Sequence, residues 1–348
     1  MAPIFACICG GAVAILLIEL LLSVLPVIAG IHAAAPDGDW PSARLSPNAA
    51  FTYSRGWDLR NVTRGRINNL GFVAPHHYLR DHEAILVFGD SFVESLMNAY
   101  DDTLQGRLGR LIGDPADVYN FGVSGAGLSD YLGNARTAAR LFRPKWAVFV
   151  ITAEDVIESE TPRTGHFHFL KGQGNGSLEL SPPRTHSWLE RQLRSIATIR
   201  YLRGNLKVTT RVMFKHLAPP VDPEGGINIH ILSTIHTFLR DVPDALGLPA
   251  DRVILVFDSD RARIYGRRNP GHLAGWTPLQ RETRESFMDA ARVRGFSIVD
   301  TRPIFAEEFA RSGRRLDHGA DDMHWNPIAH VLVAHAIHRI MIVPASTD

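Results

Sequence analysis

Ala84-Ile85-Leu86-Val87-Phe88 runs without a break into Gly89-Asp90-Ser91-Phe92. An uninterrupted apolar run of this length, ended by Gly and a polar pair, reads as a strand buried on both faces. Such strands belong to parallel sheets covered by helices on either side. The residues just past the carboxyl end of one, before the next helix, are where α/β folds bind ligands and do chemistry. Ser91 stands at that place.

Working outward, four further runs have the same character: Val118–Phe121, Trp146–Thr152, Val253–Phe257 and Phe296–Asp300. Between them Leu104 to Leu111, Tyr131 to Leu141 and Arg281 to Arg292 carry apolar residues three or four apart, as amphipathic helices do. A last helix is expected from Pro327 to Met341, with Pro in its first turn where the missing N–H costs nothing. Alternating strand and helix predicts a three-layer α/β/α sandwich on a parallel five-stranded sheet, of the flavodoxin-like kind. This domain is expected over 76–345. Its regular alternation breaks at about 158–222, where His166–Leu170 and Ser177–Leu180 flank a Gly-rich turn and Trp188 to Lys207 reads as a basic amphipathic helix. An insertion of that length is expected to be a lid, a partner surface or a membrane-facing flap.

Residues 36–75 are polar, rich in Pro, Gly and Asn, and are read as a linker packing onto the domain. Before them, Met1 to Ala35 holds a single charge, Glu19. The apolar run exceeds the ~20 residues that a membrane helix needs, and it lacks the basic start and short apolar core of a signal peptide. The expectation is an uncleaved anchor at the cell inner membrane, with the rest of the chain on the extracytoplasmic side. Ala33-Ala34-Ala35 offers a cleavage site as the alternative.

Composition narrows the chemistry. Across 348 residues, 37 basic and 36 acidic side chains balance and no basic run stands out, which argues against a nucleic-acid partner. Cys7 and Cys9 are the only cysteines and both lie in the apolar N-terminus. The remainder therefore has no thiolate nucleophile, disulfide or cysteine-bound zinc. Ser91, at the carboxyl end of the strand, is the candidate nucleophile, and serine needs a base. Asp321-Asp322-Met323-His324-Trp325-Asn326 supplies a histidine with carboxylates two and three residues upstream, able to orient the imidazole through its second nitrogen. Gly122-Val-Ser124-Gly125-Ala126 lacks the last glycine of a nucleophile elbow, so Ser124 is read as loop structure. His330, His335 and His338, and the pair His166 and His168, lack nearby carboxylates in metal-binding order and are read as packing or surface residues.

Four blocks in chain order, Gly89-Asp90-Ser91, Asn120-Phe-Gly122-Val-Ser-Gly125, Thr152-Ala-Glu154-Asp155 and Asp321-Asp322-Met-His324, resemble those of the SGNH (GDSL-like) hydrolases. The likeness covers about Arg66 to Met341, and Asn69-Leu-Gly71-Phe72 resembles the membrane-linked bacterial branch. The resemblance implies a serine esterase without a cofactor, with Ser91 as nucleophile and His324 as base. Asp321 by the family's usual spacing, or Asp322 by a shorter variant, would orient the histidine, with the preference on Asp321. It further implies oxyanion donors at the Ser91 and Gly125 amides and a site edged by Asn120, Glu154 and Asp155. The third block departs from the family, which has Asn where Glu154 stands. Three readings follow: Glu154 is neutral through burial, it points away while two donors suffice, or the site is weak or silent. The substrate expected is an acyl ester, chiefly O-acetyl on a small molecule or envelope polysaccharide. Acyl transfer and a silent binding role are the alternatives.

Overall fold

The computed structural model describes residues 2–34, 37, 39–171, 178–183, 196–208, 227, 229–266, 273–319 and 322–342. Five strands form one parallel sheet: β3 (Glu83–Gly89), β4 (Val118–Gly122), β5 (Arg143–Ile151), β8 (Val253–Phe257) and β9 (Ser297–Asp300), in the order β4-β3-β5-β8-β9. These are the five strands expected from the apolar runs. Their uniform hydrophobicity has a direct cause. Within β3, Leu86 and Phe88 point into one core while Ile85 and Val87 point into the other, and β5 and β8 repeat the pattern. Successive side chains face opposite ways, so only an all-apolar strand can satisfy two covered faces.

Each core is closed by helices. α4 (Leu128–Leu141), α7 (Ile229–Leu246) and α9 (Pro278–Val293) cover the first, contributing Tyr131, Phe238 and Phe287. α3 (Leu104–Ile112), α10 (Thr301–Ser312) and α11 (Pro327–Ile342) cover the second, contributing Leu108, Phe305 and Val333. All six of these side chains are nearly or fully buried, and each large one stabilises the fold by about 1.5–3 kcal/mol through area alone. Helix ends are set locally. Thr103 caps α3 through the Gly106 amide, and Thr277 with Gln280 forms a reciprocal capping box ahead of Pro278. α7, α10 and the short α8 (Arg261–Tyr265) were not among the expected helices.

The stretch read as a linker contains a hairpin, β1 (Ala50–Arg55) with β2 (Arg60–Arg66). Its second strand, Arg-Asn-Val-Thr-Arg-Gly-Arg, is largely solvent-facing, so no apolar alternation marks it. Trp40, in the same stretch, is fully buried, stacked on Phe121 with ring centroids 5.1 Å apart. In the insertion β6 (His168–Lys171) pairs with β7 (Leu178–Ser181), the hairpin expected there. Its turn and the first part of the expected basic helix, 188–195, lie outside the described residues, and the described remainder holds α6 (Ala197–Arg200) followed by a π-helical turn, Tyr201–Asn205.

The N-terminal helix α1 spans Ala2–Val24. Its side chains are described at Phe5 and from Cys9 onward. Among the described residues no helix is long and apolar enough to cross a membrane. Glu19, the charge inside this apolar run, accepts hydrogen bonds from the first amides of α6, Ala197 at 2.6 Å and Thr198 at 2.9 Å.

Candidate active site

The turn from β3 into the one-turn helix α2 (Ser91–Glu94) is tight because Gly89 makes it so. A Cβ there would sit 2.3 Å from Cγ2 of Val93. Asp90 caps α2, its carboxylate accepting the Phe92 amide at 2.8 Å, and Ser91 takes the first helical position. From the far end of the chain, β11 (Asp322–Trp325) pairs with β10 (Asp317–Gly319) and brings His324 over the same strand end. Nε2 of His324 lies 2.8 Å from Oγ of Ser91, and Nδ1 lies 2.6 Å from Oδ1 of Asp322.

Of the two acids expected to orient His324, it is Asp322 that does so, which reverses the preference for Asp321. Asp321 lies outside the described residues. The reason is strand geometry: residues two apart on β11 share a face, so Asp322 and His324 project together. The other Asp322 oxygen meets Nη1 of Arg55 at 2.6 Å, reaching in from the β1–β2 hairpin. Burial alone would raise this carboxyl. The hydrogen bond from His324 and the Arg55 charge outweigh it and hold Asp322 well below the usual carboxylate range. Nothing in the sequence marks Arg55, which is distant along the chain and sits in a polar strand.

Gly125 has φ +77, a conformation that L side chains rarely adopt, and lies in the loop between β4 and α4. Ser124 donates its hydroxyl to Glu94, pinning this loop to α2. Two residues expected to edge the site are instead structural. Asn120 is fully buried, donating Nδ2 to the Val73 carbonyl and accepting the Gly122 amide at 2.7 Å, so neither end of its amide is free for a ligand. The buried carboxylate of Asp155 accepts the Thr152 amide at 2.8 Å, the Thr152 hydroxyl at 2.6 Å and the Tyr131 hydroxyl at 3.0 Å, fixing the turn after β5.

Glu154 is exposed, which overturns the reading that burial keeps it neutral. It opens the short helix α5 (Asp155–Glu158) without a side-chain cap. His330 is packed in the core, with Nδ1 accepting the Leu104 amide at 3.1 Å.

Buried acids surround Ser91. Asp90 is pushed up to about 8 by burial and by the neighbouring carboxylates Glu158, Asp258 and Glu94. Glu94 is raised to about 7 by burial, which outweighs its bonds to Ser124. Asp155 is raised by burial and by Asp90. Unfolded carboxyls titrate near 4, so between about pH 4 and 8 the native chain holds protons that the unfolded chain has released. Stability from these groups is therefore greatest at low pH and is lost as pH rises through their native values. We expect the melting temperature to be several degrees lower at pH 8.5 than at pH 6.5, and Glu94→Gln to shrink that difference. Scanning calorimetry at the two pH values checks it, and an unchanged or rising melting temperature contradicts it.

No protein-family model matches the chain, and no curated protein sequence matches it. Solved structures similar to it include a lipolytic protein of the G-D-S-L family from Veillonella parvula, at 12% identity over 75% of this chain and 100% of that one, TM-score 0.39. LAE5, an α/β hydrolase from the metagenome of Lake Arreo, Spain, shares 15% identity over 76% of this chain and 96% of that one, TM-score 0.41. A two-domain esterase active on acetylated mannans shares 13% over 75% of this chain and 49% of that one, TM-score 0.38. Likenesses this distant carry no argument about activity.

Proposed function

We propose that this chain is a serine hydrolase of the SGNH type that cleaves an acyl ester through an acyl-Ser91 intermediate. The observation that carries the reading is the hydrogen-bonded relay Ser91–His324–Asp322, at 2.8 and 2.6 Å, placed at the carboxyl end of a central strand. In the first step His324 Nε2 takes the Ser91 proton as Oγ attacks the ester carbonyl. The tetrahedral oxyanion is met by backbone N–H groups of Ser91 and Gly125. Collapse expels the alcohol, protonated by His324. A water then attacks the acyl-serine by the same route, releasing the acid and restoring Ser91.

An acetyl ester, on an envelope or exported polysaccharide, is the substrate class we favour. The compartment argument rests on α1. Ile15, Leu16, Leu20 and Leu21 all lie exposed on it, an apolar surface that calls for lipid or another apolar partner. Over its described residues α1 is not long and apolar enough to span a bilayer, so the expected transmembrane anchor is set aside. We propose that this apolar face rests against a membrane with the catalytic domain outside the cytoplasm. The test is the detergent-solubilised full chain with p-nitrophenyl acetate and acetylated xylan. Release of p-nitrophenol and acetate is expected. A folded chain that releases neither, and is not labelled at Ser91 by a fluorophosphonate, fails the reading.

A further inference from the structure

The side chains around Ser91 offer an oxyanion few donors. Asp90, Glu94 and Asp155 are buried around the strand end, Glu158 is half-buried and Glu154 is exposed beside them. Burial raises Asp90, Glu94 and Asp155 toward their neutral forms, so what the site lacks is a donor rather than relief from their charge. Two backbone amides are few donors for a full oxyanion charge.

One cation sits against the hole. Arg163, in the loop after α5, donates one terminal nitrogen to the Gly125 carbonyl and the other to Oε1 of Glu158 at 3.1 Å. A Cβ built on Gly125 would lie 3.2 Å from Nη1 of Arg163, so the guanidinium rests on the α-carbon of the residue whose amide is an oxyanion donor. Its side chain is about one-third exposed, and Nε is shielded from solvent without a hydrogen-bond partner. A guanidinium has five N–H groups, and these two bonds leave donors unspent. An unspent, partly desolvated donor costs free energy unless a ligand group meets it.

We propose that Arg163 is a side-chain donor of the oxyanion hole, doing the work that the carboxylate of Glu154 cannot do. This rests on the serine-hydrolase reading above. Glu158 holds the guanidinium in place from behind and offsets part of its charge. The Gly125 carbonyl accepts from Arg163, so the β4–α4 loop carries the amide and the loop after α5 sets the cation beside it. Charge that appears only in the transition state is then stabilised where it forms, which raises kcat and leaves KM nearly unmoved.

The test uses the full chain and four proteins: wild type, Arg163→Gln, Arg163→Lys, and Arg163→Gln combined with Glu154→Asn. With p-nitrophenyl acetate, Arg163→Gln should lower kcat by about 10²–10³ with KM within about twofold, the scale of losing one such donor. Arg163→Lys, which keeps the charge without the fork, should fall between. Adding Glu154→Asn should recover at least about tenfold, because an amide donor then stands at the same hole. If Arg163→Gln keeps wild-type kcat, Arg163 is no donor and the proposal fails while the esterase reading stands. If kcat and melting temperature fall together and Glu154→Asn recovers nothing, Arg163 only braces the loop, which also overturns it. A wild type with no Ser91-dependent turnover overturns both.

Discussion

Replacing Ser91 with alanine is expected to abolish ester hydrolysis, lowering kcat by about four orders of magnitude or more. The hydroxyl is the atom that bonds to the acyl group, and its Oγ lies 2.8 Å from Nε2 of His324, the base that takes its proton. His324→Ala should cost about as much. The double variant should be no worse than either single one, because the two residues act as a unit whose loss is complete once either is gone. Both variants should stay folded: Asp90, not Ser91, caps α2, and His324 is half-buried at the rim. Initial rates with p-nitrophenyl acetate, beside melting curves, check the prediction. A Ser91→Ala chain that turns over at the wild-type rate would move the chemistry to another group.

What the sequence showed and what it hid follow from where the physical signal is local. The five sheet strands were legible because burial on both faces forces apolar residues at every position of β3, β5 and β8. The β1–β2 hairpin was not, since β2 keeps most of its side chains in solvent and reads as polar chain. Ser91 and His324 stood out because each sits at a strand end in a short motif. The choice between Asp321 and Asp322 needed the knowledge that Asp322–Trp325 is a strand, and spacing alone favoured the wrong parity. Asn120 has the same residue type whether it binds a ligand or a turn, and only its bonds to Val73 and Gly122 show that it holds the loop. Arg55 and Arg163 reach the site from outside every motif, so their roles are visible only in three dimensions.

Asp322→Asn is the second change with a large expected effect, about 10⁴ in kcat, whereas Asp321→Asn should stay within a few-fold of wild type. The carboxylate accepts the Nδ1 proton of His324, which leaves Nε2 free to take the proton of Ser91. An asparagine amide can turn its N–H toward Nδ1. The ring would then carry its proton on Nε2, the wrong nitrogen for a base. The substitution also strips Arg55 of the carboxylate it meets at 2.6 Å, in a pair whose side chains are 12% and 3% exposed. Arg55→Ala breaks the same pair from the other side and leaves Asp322 buried with only His324 opposite it. Removing one partner of a buried pair costs about 3–5 kcal/mol, so this variant should melt lower as well as turn over more slowly. The two readouts separate the roles. Asp322→Asn removes the tautomer control and should cost far more in rate than Arg55→Ala. Equal losses in kcat, or a large loss in Asp321→Asn, would show that the imidazole is oriented by something other than Asp322.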